Sequence, residues 1–271
     1  MLGQAKRLYE LNSLLHANEE VKETTKIISF TSGKGGTGKS FLCSNLAFQL
    51  SDEGKKILIV DLDINLSNIG TFFNIHSKKN LFHYLNYDYN LDEVVHNYSE
   101  NLDMILGESG KIDHPEFTEE KINLFMNELR IISPKYDYIF FDTSAGVNKS
   151  MLHLLNYSDD VIIVTSAEPT SVMDGYVIIK MLKNFGYKSK INVIVNKTFE
   201  ENEGFTAFEN LQKASDHFLK LGINYLGEIS FSKEVVKSIQ NQIPIVKSNN
   251  SSGITSQINQ IASKIKIQTI G

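Results

Sequence analysis

Gly33-Lys34-Gly35-Gly36-Thr37-Gly38-Lys39-Ser40 decides how the rest of this chain is read. An apolar, β-prone run, Lys26-Ile27-Ile28-Ser29-Phe30, leads into it, and Phe41, Leu42, Leu46, Ala47 and Leu50 follow at helical spacing. Glycines between a strand and a helix let the backbone curl with its N–H groups turned inward, which makes a concave anion site. The positive end of the following helix adds to it. In that setting Lys39 would neutralise β- and γ-phosphate charge, and Ser40 would ligate Mg²⁺. Gly33, Gly35, Gly36, Thr37, Gly38 and Phe41 complete the candidate nucleotide-binding set. A ligand-free Gly-rich turn could use the same residues, but the strand before and the helix after favour a phosphate loop.

The remaining sequence bounds the class. Its 271 residues, 41% hydrophobic, suffice for one sizeable α/β domain. The single cysteine, Cys43, excludes an intramolecular disulfide and a multi-cysteine metal site, and a reducing cytoplasm fits. Residues 1–16 are amphipathic and do not read as a signal peptide. No apolar run approaches the ~20 residues that span a bilayer. A net charge of -5 disfavours a broad nucleic-acid surface.

β-prone runs at 26–30, 57–61, 102–106, 138–142, 161–165, 191–196 and 225–229 alternate with helical patterns at 118–131, 171–185, 204–221 and 254–265. Such alternation predicts a doubly wound, mostly parallel sheet covered on both faces, with ligands at the carboxyl ends of its strands. The informative polar residues fall at those ends: the loop, Asp61, Asp63, Asp142 and Asn196. Residues 17–25 read as a polar linker, dividing the chain into an N-terminal helix and linker (1–25) and a core domain (26–271). Residues 247–253 read as a surface loop.

Asp142 ends the buried-looking run Tyr138-Ile139-Phe140-Phe141 and is placed to hold Mg²⁺ through water; an N-cap role is its alternative. Asp61 and Asp63 close the second strand, where paired caps for a helix starting near Ile64 are the alternative. The Asn196 amide offers a donor and an acceptor to a base edge, or serves as a turn residue. Pro169 stops the segment before it, with Thr170 or Ser171 as a helix cap, and Asp174 reads as a first-turn helix acid. Lys34 has no obvious target in its own subunit beyond phosphates that Lys39 already holds. It is either a solvated lysine or a cation that reaches a partner's nucleotide, as an arginine finger does.

The loop KGGTGKS resembles the deviant Walker A loop of the MinD/ParA ATPases, and the similarity extends over nearly all of 26–267. It implies a P-loop NTPase fold of the SIMIBI type, ATP hydrolysis with Mg²⁺ and an ATP-dependent homodimer in which Lys34 touches the neighbour's nucleotide. Asp61-Leu62-Asp63-Ile64-Asn65-Leu66-Ser67-Asn68 resembles the family's switch I, with Asn65 where many relatives have Gly. By that match Asp63 orients the attacking water, and Asp61 helps order the metal shell. Residues 142–146 resemble switch II, with Ser144 as a departure, and Asn196 matches the base-binding asparagine.

Two features resemble the flagellar-number regulator branch (FlhG, FleN or YlxH). Glu168-Pro169-Thr170-Ser171 matches a segment that faces the dimer partner there. Gln4-Ala5-Lys6-Arg7-Leu8 matches an N-terminal element that engages a flagellar signal-recognition-type GTPase, with Gly3 and Tyr9 as departures. Gln4, Ala5 and Leu8 carry over as partner-binding positions within the stripe Leu2, Ala5, Leu8, Leu11 and Leu15. The stripe docks on its own core or folds on a partner. Division-site regulation at a membrane and DNA partitioning are the alternatives within the family. The isoleucines 254, 258, 261 and 265 would suit a membrane surface, but fit better as the inner face of a last core helix.

Overall fold

Ile57-Leu58-Ile59-Val60 is wholly buried, as a central parallel strand covered on both faces requires. A computed structural model describes residues 25–63, 67–86, 89–110, 116–248 and 252–269. In it β1 (Lys26–Ser32) enters α1 (Lys39–Asp52). β2 (Ile57–Asp61) precedes two short helices, α2 (Ile69–Phe72) and α3 (Leu81–Leu85). A hairpin of β3 (Val95–Ser99) and β4 (Leu102–Ile105) leads to α4 (Glu119–Ile132). Strands and helices then alternate through β5 (Tyr138–Ala145), α5 (Lys149–Leu155), β6 (Asp160–Ser166), α6 (Pro169–Phe185), β7 (Lys190–Thr198), α7 (Glu203–Ala214) and β8 (Asn224–Ser230). Three helices close the described chain: α8 (Lys233–Gln240), α9 (Ile245–Ser248) and α10 (Gly253–Thr269).

The strands make one sheet in the order β3-β4-β2-β5-β1-β6-β7-β8. Each neighbouring pair is parallel except β3 with β4. One apolar cluster joins α3 to α7 on one face, and a second joins α1, α2, α9 and α10 on the other. β1 lies between β5 and β6, so the chain leaves it toward β2 on one side and later returns to β6 on the other. The crevice at this reversal is where an open α/β sheet binds ligands.

Four local features differ from expectation. β3 is an additional strand, an edge strand whose residues Val95 to Ser99 are only partly buried. The predicted helix over 204–221 is regular only to Ala214; a π-helical turn follows, and Lys220 ends it in the left-handed region at φ 51°. α9 begins before the predicted loop over 247–253 and runs into its first two residues, Lys247 and Ser248. Neither Thr170 nor Ser171 caps α6: Glu168 holds the cap position with Pro169 at the first turn, and Asp174 lies beyond that turn. The Ser171 hydroxyl instead accepts from the Ser166 N–H (3.0 Å) and bonds Thr165 (2.9 Å).

α10 sits against α1 and β8, with Ile254, Ile258, Ile261 and Ile265 at most 5% exposed. The stripe is therefore core. Among the described residues no helix is long and apolar enough to cross a membrane. Ile258→Ala should lower unfolding free energy by about 2–5 kcal/mol in a denaturant titration, the usual cost of a cavity in a packed core. A change within a few tenths would mean that the stripe faces outward.

Candidate nucleotide-binding site

The loop between β1 and α1 takes its shape from backbone that side chains disfavour. Gly36 (φ 77°) and Gly38 (φ 91°) lie in the left-handed region. Gly38 is also the N-cap of α1, and no side chain caps that helix, which leaves its leading N–H groups to an anion. At Gly33 a Cβ would come within 2.4 Å of the Asp174 Cβ, so α6 packs directly on the loop. The loop borders a cleft of about 470 Å³ that Asp63, Asn68, Asn196, Phe231 and Val236 also line.

Beneath the loop lies a compact charge cluster. Asp61 and Asp142 are fully buried neighbours at paired positions of β2 and β5. Lys39 Nζ donates to Asp142 Oδ1 at 2.8 Å and lies 3.5 Å from Ser40 Oγ. Burial acts to lower the Lys39 pKa, but the Asp142 carboxylate outweighs it and holds the ammonium above its ordinary value. Asp142 Oδ2 and Thr37 Oγ1 are buried without a hydrogen-bond partner. The orphaned Asp142 oxygen, with the Ser40 hydroxyl at the same lysine, is a donor set suited to a hydrated, oxygen-seeking cation. Among the described residues no cluster of three or more His, Cys, Asp or Glu could hold a metal by itself. Mg²⁺ is commonly held by one or two protein groups together with phosphates and water. Asp142 and Ser40 therefore fit the metal role expected of them.

Asp61 does something further. Its Oδ2 accepts from Ser67 Oγ (2.7 Å) and the N–H groups of Asn68 (3.1 Å) and Ile69 (3.0 Å), while Oδ1 accepts from the Asp63 N–H (3.1 Å). In this geometry it braces the segment carrying Asp63, beside the metal-ordering role that the resemblance implies. Residues 64–66, where the helix expected near Ile64 would begin, lie outside the described residues, as do Gln4, Ala5 and Leu8.

Two candidate residues bond elsewhere in the chain. Lys34, expected to lack a target of its own, donates to Glu168 Oε2 (2.7 Å, 134 residues away) and Thr170 Oγ1 (3.4 Å, 136 residues away). That bond draws the Glu168 carboxyl below its usual range. Asn196 Nδ2 donates to the Thr37 carbonyl at 2.7 Å, and its Oδ1 accepts from the Lys197 N–H at 2.9 Å. Lys197, itself at φ 62°, donates from Nζ to the Gly36 carbonyl at 2.7 Å. Both residues at the end of β7 thus clamp the loop, and a Cβ at Gly38 would strike the Asn196 amide at 2.1 Å.

Sequence reasoning missed Glu168 as the Lys34 partner, Lys197 as a clamp and Phe231 as a cleft wall. Phe231 stacks on Phe199, with ring centroids 5.1 Å apart and planes inclined by 27°. Each aromatic directly follows a strand of the cleft, and that position was the available signal.

Burial, then the adjoining Asp142, raise Asp61 to about 7, against the bonds from Ser67 and Ile69. Folded protein thus holds this proton up to about pH 7, whereas the unfolded chain releases it near pH 4. The stability from Asp61 is present below that lower value and is lost as pH rises through the folded pKa. Without nucleotide, the thermal midpoint should fall between pH 5 and 8 more steeply in the wild type than in Asp61→Asn. Parallel curves would remove this assignment.

A family model described as an AAA domain matches residues 25–196. The chain is 33% identical over 266 residues to the flagellum site-determining protein YlxH of Helicobacter pylori, covering 97% of this chain and 90% of that protein. It is 27% identical over 250 residues to the antiactivator FleN of Pseudomonas aeruginosa, covering 89% and 86%. The septum site-determining protein MinD of Pyrococcus horikoshii, solved with Mg-ADP, shares the fold at a TM-score of 0.76 and 23% identity, covering 89% of this chain and 96% of that one. The likeness runs well past the phosphate loop to nearly the whole sequence, and the chain belongs to the MinD/ParA family of ATPases, in its flagellar-number regulator branch.

Proposed function

We propose that this protein is a Mg-ATP-dependent dimerising switch that hydrolyses ATP to ADP and phosphate, and that it regulates flagellar number and placement through a flagellar signal-recognition-type GTPase. The observation that carries the nucleotide reading is the buried Lys39–Asp142 pair under the loop, with one Asp142 oxygen left without a partner. The flagellar reading is supported by the 33% identity to YlxH across both chains.

The roles follow from position. Gly33 to Phe41 cradle the phosphates, and Lys39 neutralises them. Ser40 and Asp142 would hold Mg²⁺, with Asp61 ordering its surroundings, and the ion would offset charge between the β- and γ-phosphates. Asp63 orients the attacking water, held in place by the brace at Asp61. Asn196 faces the base from its seat on Thr37, and Phe231 offers an aromatic face. Lys34 leaves Glu168 to reach the partner's phosphates, so a second copy supplies charge that the first lacks. The γ-phosphate orders 61–68 and 142–146, and its loss releases them, giving a slow, partner-regulated turnover.

Residues 1–25 serve as a partner-binding helix and linker ahead of the ATPase domain (26–271), with Gln4, Ala5 and Leu8 meeting the GTPase. The protein works in the cytoplasm, at the inner face of the membrane or the cell pole. Membrane contact through the α10 isoleucines would require that helix to leave the core. A net charge of -5 weighs against the DNA-partitioning alternative.

Three measurements test this. Lys34→Ala should abolish ATP-dependent dimerisation in analytical ultracentrifugation while sparing much monomer binding; a fully active dimer of that variant contradicts the trans role. Phe231→Ala should weaken ATP binding by about tenfold, the loss of one base–aromatic contact, and leave inorganic triphosphate affinity unchanged. Pull-down of the flagellar GTPase should be lost when residues 1–20 are removed; unchanged capture removes the role given to the N-terminal helix.

A further inference from the structure

Helices α6 and α7 leave an apolar groove of about 450 Å³ between them, walled by Pro169, Val172, Met173, Tyr176, Leu211 and Phe218. In the described residues Met173 is 60% exposed and Phe218 70% exposed, and Val177 beside them is 45% exposed. Contiguous large apolar side chains left to water mark a docking surface, and a trough between two helices suits the apolar face of a third.

The same chain carries such a face. Leu2, Ala5, Leu8, Leu11 and Leu15 recur at helical spacing before the first described residue, and a helix of that length is marginal in water unless it packs on something. Thr25 fixes where this segment starts from: its hydroxyl bonds the carbonyls of Ser133 (2.7 Å) and Tyr136 (2.8 Å). It lies beside Met126 and Leu129 of α4, which belong to the apolar cluster that also holds Leu211 and packs Val172 and Tyr176. The chain therefore emerges on the groove's side of the sheet. Residues 17–24 can reach roughly 26 Å when extended.

A second copy is the less suitable occupant. α6 starts and α7 starts at the carboxyl ends of their strands, beside the cleft. A copy facing the cleft would cover the Ala167 end of the groove, whereas Phe218 lies past the far end of α7. We infer that residues 1–16 of the same chain lie in the α6–α7 groove when no partner is bound, their leucine stripe covering Met173 and Phe218. This is an autoinhibitory contact: any partner of the stripe has to compete with the groove for it. The inference does not depend on that partner's being a GTPase, and a failed GTPase pull-down would leave it standing.

The test uses the full chain with Met173→Cys, labelled by a maleimide dye; the native Cys43 is buried. Labelling should be about tenfold slower than in the same chain carrying Leu8→Glu and Leu11→Glu, corresponding to a docked fraction of about nine-tenths. The ratio should not depend on protein concentration. Val236→Cys, on α8 at the cleft, should label at one rate in both backgrounds. Equal rates at Met173→Cys, or protection that grows with concentration as a second copy would give, overturn the proposal. If Met173→Cys does not fold, Phe218→Cys gives the same readout.

Discussion

Two carboxylates stand side by side on neighbouring strands, wholly buried, and one buried ammonium answers them. The Lys39–Asp142 pair closes at 2.8 Å under the phosphate loop, and much else in the cleft follows from that arrangement. Removing charge from water is costly, and a buried pair is tolerable only where further bonds satisfy what remains. Asp61 meets this requirement with donors from Asp63, Ser67, Asn68 and Ile69, which ties those residues to the sheet. Asp142 meets it on one oxygen only. The cluster thus keeps an unanswered acceptor next to the place where the loop would bring phosphate and metal. The Asp61 bonds tie the residues around Asp63 to the same cluster.

The loop is held from a second direction. Asn196 and Lys197 bond the carbonyls of Thr37 and Gly36, so the end of β7 fixes the loop. Strain accompanies this hold at Lys197, a non-glycine residue in the left-handed region, and Gly38 cannot take a side chain without striking Asn196. Such strain persists where the surroundings over-determine it, which is common at binding sites. Lys34 stands outside this frame. Its bond to Glu168 is exposed at the rim, where water and salt screen such pairs.

Much of this was legible beforehand because it is local. The phosphate loop is contiguous, and Asp61, Asp142 and Asn196 each end a run of β-branched or aromatic residues, so their arrival at one edge follows from a parallel sheet. The isoleucines of α10 show how far such reading reaches. Their spacing gives a stripe, but only the packing of α1 decides that the stripe faces inward. β3 escaped because His96, Asn97 and Tyr98 form a half-exposed edge with weak alternation. The Lys34–Glu168 and Asn196–Thr37 bonds escaped for a different reason: no sequence pattern relates residues 134 and 159 positions apart. What distance in the chain hides is mainly the wiring among polar groups, whereas the strand ends that bring those groups together can be read directly.

The deciding question is where Lys34 goes when a triphosphate fills the cleft. A crystal structure with Mg²⁺ and a non-hydrolysable ATP analogue tests this most directly. The predicted result is a two-fold dimer in which each Lys34 ammonium has left Glu168 and sits on the phosphates of the opposite subunit. Separate subunits with the analogue bound and Lys34 still paired to Glu168 would contradict it.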